Sequence, residues 1–458
     1  MRIRRLRFFL FDETGLSREK IFTLKLIILA IAFGTVCFNI TGGVAMAGYL
    51  KFLGASDFTY GIILAVGPFT TLLQVFVSYL LERTRKRKLI FMIAGILQRT
   101  AWLPFGITPI ILPMAGITLR IWMVLLFFMI SACSTPFVNV SFFSFIADIV
   151  PGNIRGRYFG VRQRIAIIFG IAGGLATAFL LDRHAGFHGY ALVFSIASVF
   201  GVVDILTFIF IKIPPMGEHR KTSSLPKMLA EVFTNKRYMA IIGFVTIWSF
   251  SVQIAGPFYM VYAKTVLDLS NTVITLIMQI LPSVCMVIIL PTWGRVYDKY
   301  GNRPVMILST CLSSIAPFLW FLIVPGPYAV VPMFFTAISG GLLSVGLDFG
   351  AQNVFLLQTP DENRSMFVAI YFSITSLFGI ALANMAGGWL LDNALSVLEG
   401  MRISFFGLTP NRYNYLFLIS VSLRVISSYV LLPRMIEGDG PNSPFKVLMN
   451  MTASQRKR

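Results

Sequence analysis

Twelve apolar stretches, each about long enough to cross a bilayer, make up most of this 458-residue chain. A spanning helix needs about 20 apolar residues, at about 1.5 Å rise each, to cover a hydrocarbon core of about 30 Å. Runs such as Leu26–Leu50, Thr59–Leu81 and Met366–Leu391 meet that length. A membrane β-barrel would instead show alternating segments of about ten residues. Composition removes the water-soluble alternative: 56% of residues are hydrophobic and 13% charged, with a mean hydropathy of +0.78, whereas soluble chains carry roughly a quarter charged residues. The expected spans are 24–50, 59–81, 89–112, 118–147, 159–181, 189–213, 238–264, 272–293, 304–324, 329–356, 365–391 and 414–433. Proline and paired glycine inside some of them are tolerated, because neighbouring helices re-satisfy the freed backbone groups.

The net charge of +20 invites a nucleic-acid reading, and its distribution excludes it. With both termini placed in the cytoplasm, 31 of the 39 Lys and Arg fall in cytoplasmic segments or the helix ends beside them. Lys51, Arg120, Arg183, Lys264, Arg402 and Arg412 fall at the opposite side, and Arg99 and Arg424 lie deep within spans. This is the positive-inside bias, which sets the orientation of a multi-pass protein of the plasma (inner) membrane. The basic stretch 1–20 lacks a short apolar core with a cleavage site, so it reads as an interfacial segment on anionic lipid or as a tail that enforces topology. The four cysteines have no paired spacing and the three histidines sit in loops, so no disulfide framework, metal or cofactor is expected.

The chain repeats itself. At a shift of 209 residues, Pro151 falls on Pro360, Arg155 on Arg364 and Phe169-Gly170-Ile171 on Phe378-Gly379-Ile380. Leu-Leu-Asp182 falls one residue short of Leu-Leu-Asp392. A six-helix unit has been doubled. The expected organisation is an interfacial segment 1–20, a first bundle 21–213, a cytoplasmic linker 214–237, a second bundle 238–433 and a tail 434–458. Two parallel halves of this kind suit rocking about a midplane site that faces each side in turn.

Four loops carry a family resemblance. The block Gly294–Arg303 resembles the G-x-x-x-D-x-x-G-x-[RK] signature of the major facilitator superfamily, and Ser78–Arg87 is its degenerate partner in the first half. Asp148–Arg162 is similar to that family's helix 4–5 loop, and Thr359–Arg364 to the helix 10–11 counterpart. The resemblance covers about residues 20–435. It implies an all-α membrane fold of twelve helices in two pseudo-symmetric six-helix bundles. It also implies a cytoplasmic latch built from Arg295, Asp298, Gly301 and Arg303, with Glu82, Arg85 and Arg87 as a weaker version and Asp148, Arg155 and Arg364 beside them. A carboxylate at such a loop can cap a helix and pair with a cation. The plainer alternative is that these charges only anchor topology.

The resemblance places a cavity between helices 1, 2, 4, 5 and their mates 7, 8, 10, 11. Polar groups there are Asn39, Gln74, Asn139, Gln253, Gln279, Asp348, Gln352, Asn353 and Asn384. Each has a second reading as an interhelical hydrogen bond. Asp348 and Gln352 are four apart and share one helix face. Four ionisable groups lie deep within spans: Arg99, Asp204, Asp348 and Arg424. They pair structurally, Arg99 with Asp204 and Asp348 with Arg424, or Asp348 is a coupling site whose protonation shifts the conformational balance.

Helix 5 reads Gly170-Ile-Ala-Gly173-Gly174 and lacks the Gly-Pro pair typical of drug/proton exchangers of this superfamily. The expectation is therefore a monomeric secondary transporter, not an enzyme. It would carry a small organic solute, sugar- or glycoside-like, by alternating access with a co-transported proton or cation. Export of amphipathic drugs or lipid-like molecules is the alternative. A membrane enzyme would need a clustered nucleophile and base, and a sensor on this fold would need an added signalling domain. No Gly-rich Lys-Ser/Thr loop is present to bind nucleotide phosphates.

Overall fold

The computed structural model describes residues 17–151, 154–184, 186–213, 225–326, 328–343, 364–401 and 410–431. Among them every regular element is helical. We number the spans α1 (Arg18–Phe52), α2 (Asp57–Thr84), α3 (Arg87–Ile111), α4 (Ile117–Ile149), α5 (Arg155–Arg183), α6 (Phe187–Phe210), α7 (Lys236–Thr265), α8 (Asn271–Tyr297), α9 (Pro304–Phe321), α10 (Val330–Leu343, up to the end of the described segment), α11 (Met366–Gly400) and α12 (Arg412–Ile426, extended by Ser427–Leu431). Ten of these runs are long and apolar enough to cross a membrane. Each of the twelve falls on an interval expected from hydropathy.

Short polar residues start the helices. Ser17, Ser56, Asn235 and Ser270 each accept a backbone N–H of the following turn, and Asn411 forms a reciprocal capping box with Asn414. Three helices carry wide π turns: Leu276–Ile280 in α8, Thr375–Ala381 in α11 and Ser427–Leu431 in α12. The first has a visible cause. Pro282 has no N–H to give back to the preceding turn, and the Leu281 N–H bonds to the Leu276 carbonyl instead.

The chain forms two compact units, Met1–Met46 with Leu72–Arg220, and Ala47–Thr71 with Lys221–Arg458. One segment departs from the bundles drawn on the doubling: residues 47–71 belong by sequence to the first repeat, yet pack within the second unit. The first unit is centred on aromatics packed edge-on and tilted. Phe91 lies 4.6 Å from Phe208 and 5.3 Å from Phe145 between ring centroids. In the second unit, Trp248, Trp293 and Tyr297 share one cluster. The linker helix Leu225–Thr234 docks Val232 against Tyr238 and Phe367. Ile288 remains 69% exposed and Trp122 63% exposed, apolar surface that suits lipid rather than water.

Candidate functional site

The first unit has an open cavity of about 210 Å³. Polarity comes from Thr35 of α1, Arg99 of α3, Asn139 of α4, Arg162 of α5 and Asp204 of α6; Phe38, Phe91, Phe142 and Phe208 complete much of the wall. Arg99 sits about 18 Å along α3 from its Arg87 end, and Arg162 about 10 Å along α5 from Arg155. At that depth an ionised side chain needs a partner. Arg99 Nη2 meets Asp204 Oδ2 at 3.0 Å, with both side chains mostly buried. Arg99 also reaches Cys37 Sγ at 3.8 Å, a weak contact, and its Nε is buried without an acceptor. Arg162 lies over two rings, 5.2 Å from the Phe142 centroid and 5.6 Å from that of Phe159. The sequence marks it only as the end of the loop motif Asp148–Arg162. Its depth along α5 was the signal that could have marked it.

Asn139 is exposed to this cavity. Asn39 turns to its own helix: Nδ2 donates to the Thr35 carbonyl at 2.9 Å, beside Gly170 of α5. Gln74 is half-buried in the first unit.

The second unit holds a smaller cavity of about 180 Å³, lined by Tyr259, Met278, Trp320, Thr336 and Arg424 among others. Arg424 is 7% exposed, donates Nη1 to the Ser313 carbonyl at 3.3 Å and lies 5.9 Å from the Trp248 ring centroid. Gln279 sits on the π turn of α8 next to Met278, and Gln253 is half-buried near the end of the first segment of α7. Asn384 is buried, with its Oδ1 unpartnered. Asp348, Gln352 and Asn353 lie outside the described residues.

Of the expected latch, Arg87 and Asp148 come together. Arg87 Nη2 lies 2.7 Å from Asp148 Oδ2, and Nη1 donates to the Ser144 carbonyl at 3.1 Å. The pair ties the start of α3 to the end of α4. Arg85 ends the preceding helix in the left-handed region, at φ 55°. Gly301 turns the chain at φ 79°, where a Cβ would be strained. Arg295 Nε donates to the Pro291 carbonyl of its own helix at 3.3 Å. Glu82 is exposed and makes no ion pair among the described residues. The side chains of Asp298, Arg303, Arg155 and Arg364 lie outside the description.

A second ionic cluster was not expected. Within the second unit Asp57, fully buried, stands at the start of α2. Its carboxylate meets Lys51 Nζ at 2.5 Å and Arg412 Nη2 at 3.1 Å, and the Tyr413 hydroxyl lies 3.0 Å from each of its oxygens. Asp392, at the end of the Leu-Leu-Asp repeat in α11, accepts the Phe58 N–H at 2.8 Å and the Asp57 N–H at 3.3 Å. A carboxylate there complements the positive end of α2. Close backbone contact makes this register possible. Gly388 abuts the Asp57 carbonyl and Gly61 abuts that of Asn384, so a side chain at either would collide with backbone.

The sequence matches the family profile of the Major Facilitator Superfamily over residues 26–287 and 239–447. No curated protein matches the chain by sequence. Solved structures share its fold. A bacterial homologue of the iron transporter ferroportin, in an inward-facing state, is 13% identical with a TM-score of 0.71, over 92% of this chain and 99% of that one. The nucleoside transporter NupG is 14% identical with a TM-score of 0.64, over 92% and 100%. The xylose transporter XylE from E. coli, in an inward open conformation, is 14% identical with a TM-score of 0.63, over 93% and 99%.

Proposed function

Because the chain belongs to the major facilitator superfamily, we propose that it is a secondary active transporter carrying a small polar organic solute by alternating access, coupled to protons. The cargoes named for its structural relatives differ (nucleosides, xylose, iron), so the solute is argued from the lining. The observation that carries the reading is the first-unit cavity: Arg99, Asp204, Arg162 and Asn139 converge inside an apolar bundle. Ionised groups are expensive at that depth, and a polar cargo is a reason to hold them there. A sugar-like body with hydroxyls that bond to amide and guanidinium groups suits this wall. A neutral amphipathic drug would strand them.

In this reading the basic loops face the cytoplasm, as the positive-inside bias directs. Arg87–Asp148 belongs to the latch at that side, together with Asp298, Gly301 and Arg303. The Asp57 cluster ties the turn between α1 and α2 to α11 and α12 on the other side. Asp348 is the coupling carboxylate. The test is flux. Purified protein in proteoliposomes should show saturable counterflow of a polar solute, accelerated by an imposed proton gradient. Binding without flux for every solute class would overturn the transporter reading.

A further inference from the structure

The first-unit cavity holds more positive than negative charge. Arg99 and Arg162 both line it, and Asp204 is the one carboxylate among its lining residues. That carboxylate is engaged by Arg99 at 3.0 Å. The acid of the Arg162 motif, Asp148, is engaged by Arg87 at 2.7 Å. Arg162 itself has no carboxylate, carbonyl or hydroxyl acceptor among the described residues. Its guanidinium faces the rings of Phe142 and Phe159, and its Nε is buried without a partner. Arg99 Nε is unpartnered in the same way.

A guanidinium cannot relieve this by losing its proton. Arg162 is partly buried; a charge held there without a counter-ion carries a desolvation cost, and an anion entering the cavity offsets part of it. The planar fork of donors matches two oxygens of a carboxylate or phosphate, and the aromatic faces hold its plane. We propose that this cavity binds the anionic group of the transported solute, a carboxylate or a phosphate monoester, with Arg162 as its anchor. Arg99, fixed by Asp204, supplies the second positive edge, and Asn139 faces the polar body of the solute. The inference rests on the transporter reading and narrows it from any polar solute to an organic acid.

Pairs of ligands that differ in charge on one body test it: glucuronate against glucuronamide, benzoate against benzamide, and glucose 6-phosphate against glucose. Inorganic phosphate shows whether the anion suffices without an organic body. Binding to the purified full chain is measured by thermal shift and titration calorimetry. At least one anion should bind while its neutral partner does not. Arg162→Gln should weaken that anion about 10- to 100-fold, the range for losing a charged hydrogen bond, with Arg162→Lys recovering part of the loss. Should Arg162→Gln fail to fold, the wild-type comparison of charged and neutral partners decides alone. Equal binding of charged and neutral partners, wild-type affinity in Arg162→Gln, or no anion binding at millimolar concentration each overturns the proposal. Counterflow of a neutral solute with no anion bound would sink this inference and leave the transporter reading standing. Absence of flux for either charge would sink the reading beneath it.

Discussion

Removing the charge of Asp57 tests the clasp most directly. Asp57→Asn keeps the shape of the side chain but turns a donor toward Lys51 and Arg412. The carboxylate is fully buried and takes three charged or hydroxyl partners within 3.1 Å. Breaking a buried ion pair costs about 3–5 kcal/mol. Lys51 and Arg412 keep 15% and 31% of their side-chain exposure, and Arg412 retains Asp392 at 3.8 Å, so the lower end applies. About 3 kcal/mol corresponds to roughly a 150-fold shift in a two-state balance. The assay uses Asn384→Cys, a position 4% exposed beneath Gly61, in a background whose four native cysteines are serine. Alkylation by a membrane-impermeant maleimide should accelerate about 100-fold on adding Asp57→Asn, and Arg412→Gln should reproduce part of that gain. An unchanged rate with Asp57→Asn would refute the idea that this cluster holds residues 47–71 against α11.

Three further outcomes are expected. Arg99→Gln or Asp204→Asn alone should destabilise the protein by about 3–5 kcal/mol by stranding the partner, whereas the double variant should recover much of the loss; additive melting shifts would rule out the pair. Gly388→Ala pushes a methyl into the Asp57 carbonyl and should cost about 1–3 kcal/mol, while Gly400→Ala, with open space around it, should melt as the wild type does. Asp348→Asn should abolish proton-driven accumulation while sparing counterflow, and accumulation that survives intact would remove Asp348 from the coupling path.

Hydropathy made the helices legible because lipid forces every spanning segment to satisfy its own backbone. The same constraint marked Arg99 and Asp204, since charges deep in apolar helices must find each other or water. The amides were harder to read. Asn39, Asn139 and Asn384 look alike in sequence, yet Asn139 faces a cavity, Asn39 bonds its own helix and Asn384 is buried against a neighbour. Polarity predicts that a partner exists, and does not say which side it comes from. Asp57 was invisible for another reason. An acidic residue after serine at a helix start reads as ordinary N-terminal chemistry, and apart from Lys51 the side chains that gather around it, Asp392, Arg412 and Tyr413, lie more than 330 residues away. The residues of the first latch were visible as a motif, but the partnership of Arg87 with Asp148 depends on how α3 and α4 pack.

The distance along the chain between Asp57 and Tyr413 has a consequence for biogenesis. Lys51 emerges beside Asp57 and can neutralise it at once, whereas Tyr413 follows 356 residues later. At ribosomal speeds of about 5–20 residues per second, that interval is roughly 20–70 s. Throughout it the newly inserted hairpin carries an acid with only a local counter-charge. The clasp is therefore a late event in synthesis: it closes only once Arg412 and Tyr413, at the start of α12, have been made, and a chain truncated ahead of α12 leaves the Asp57 carboxylate with Lys51 alone.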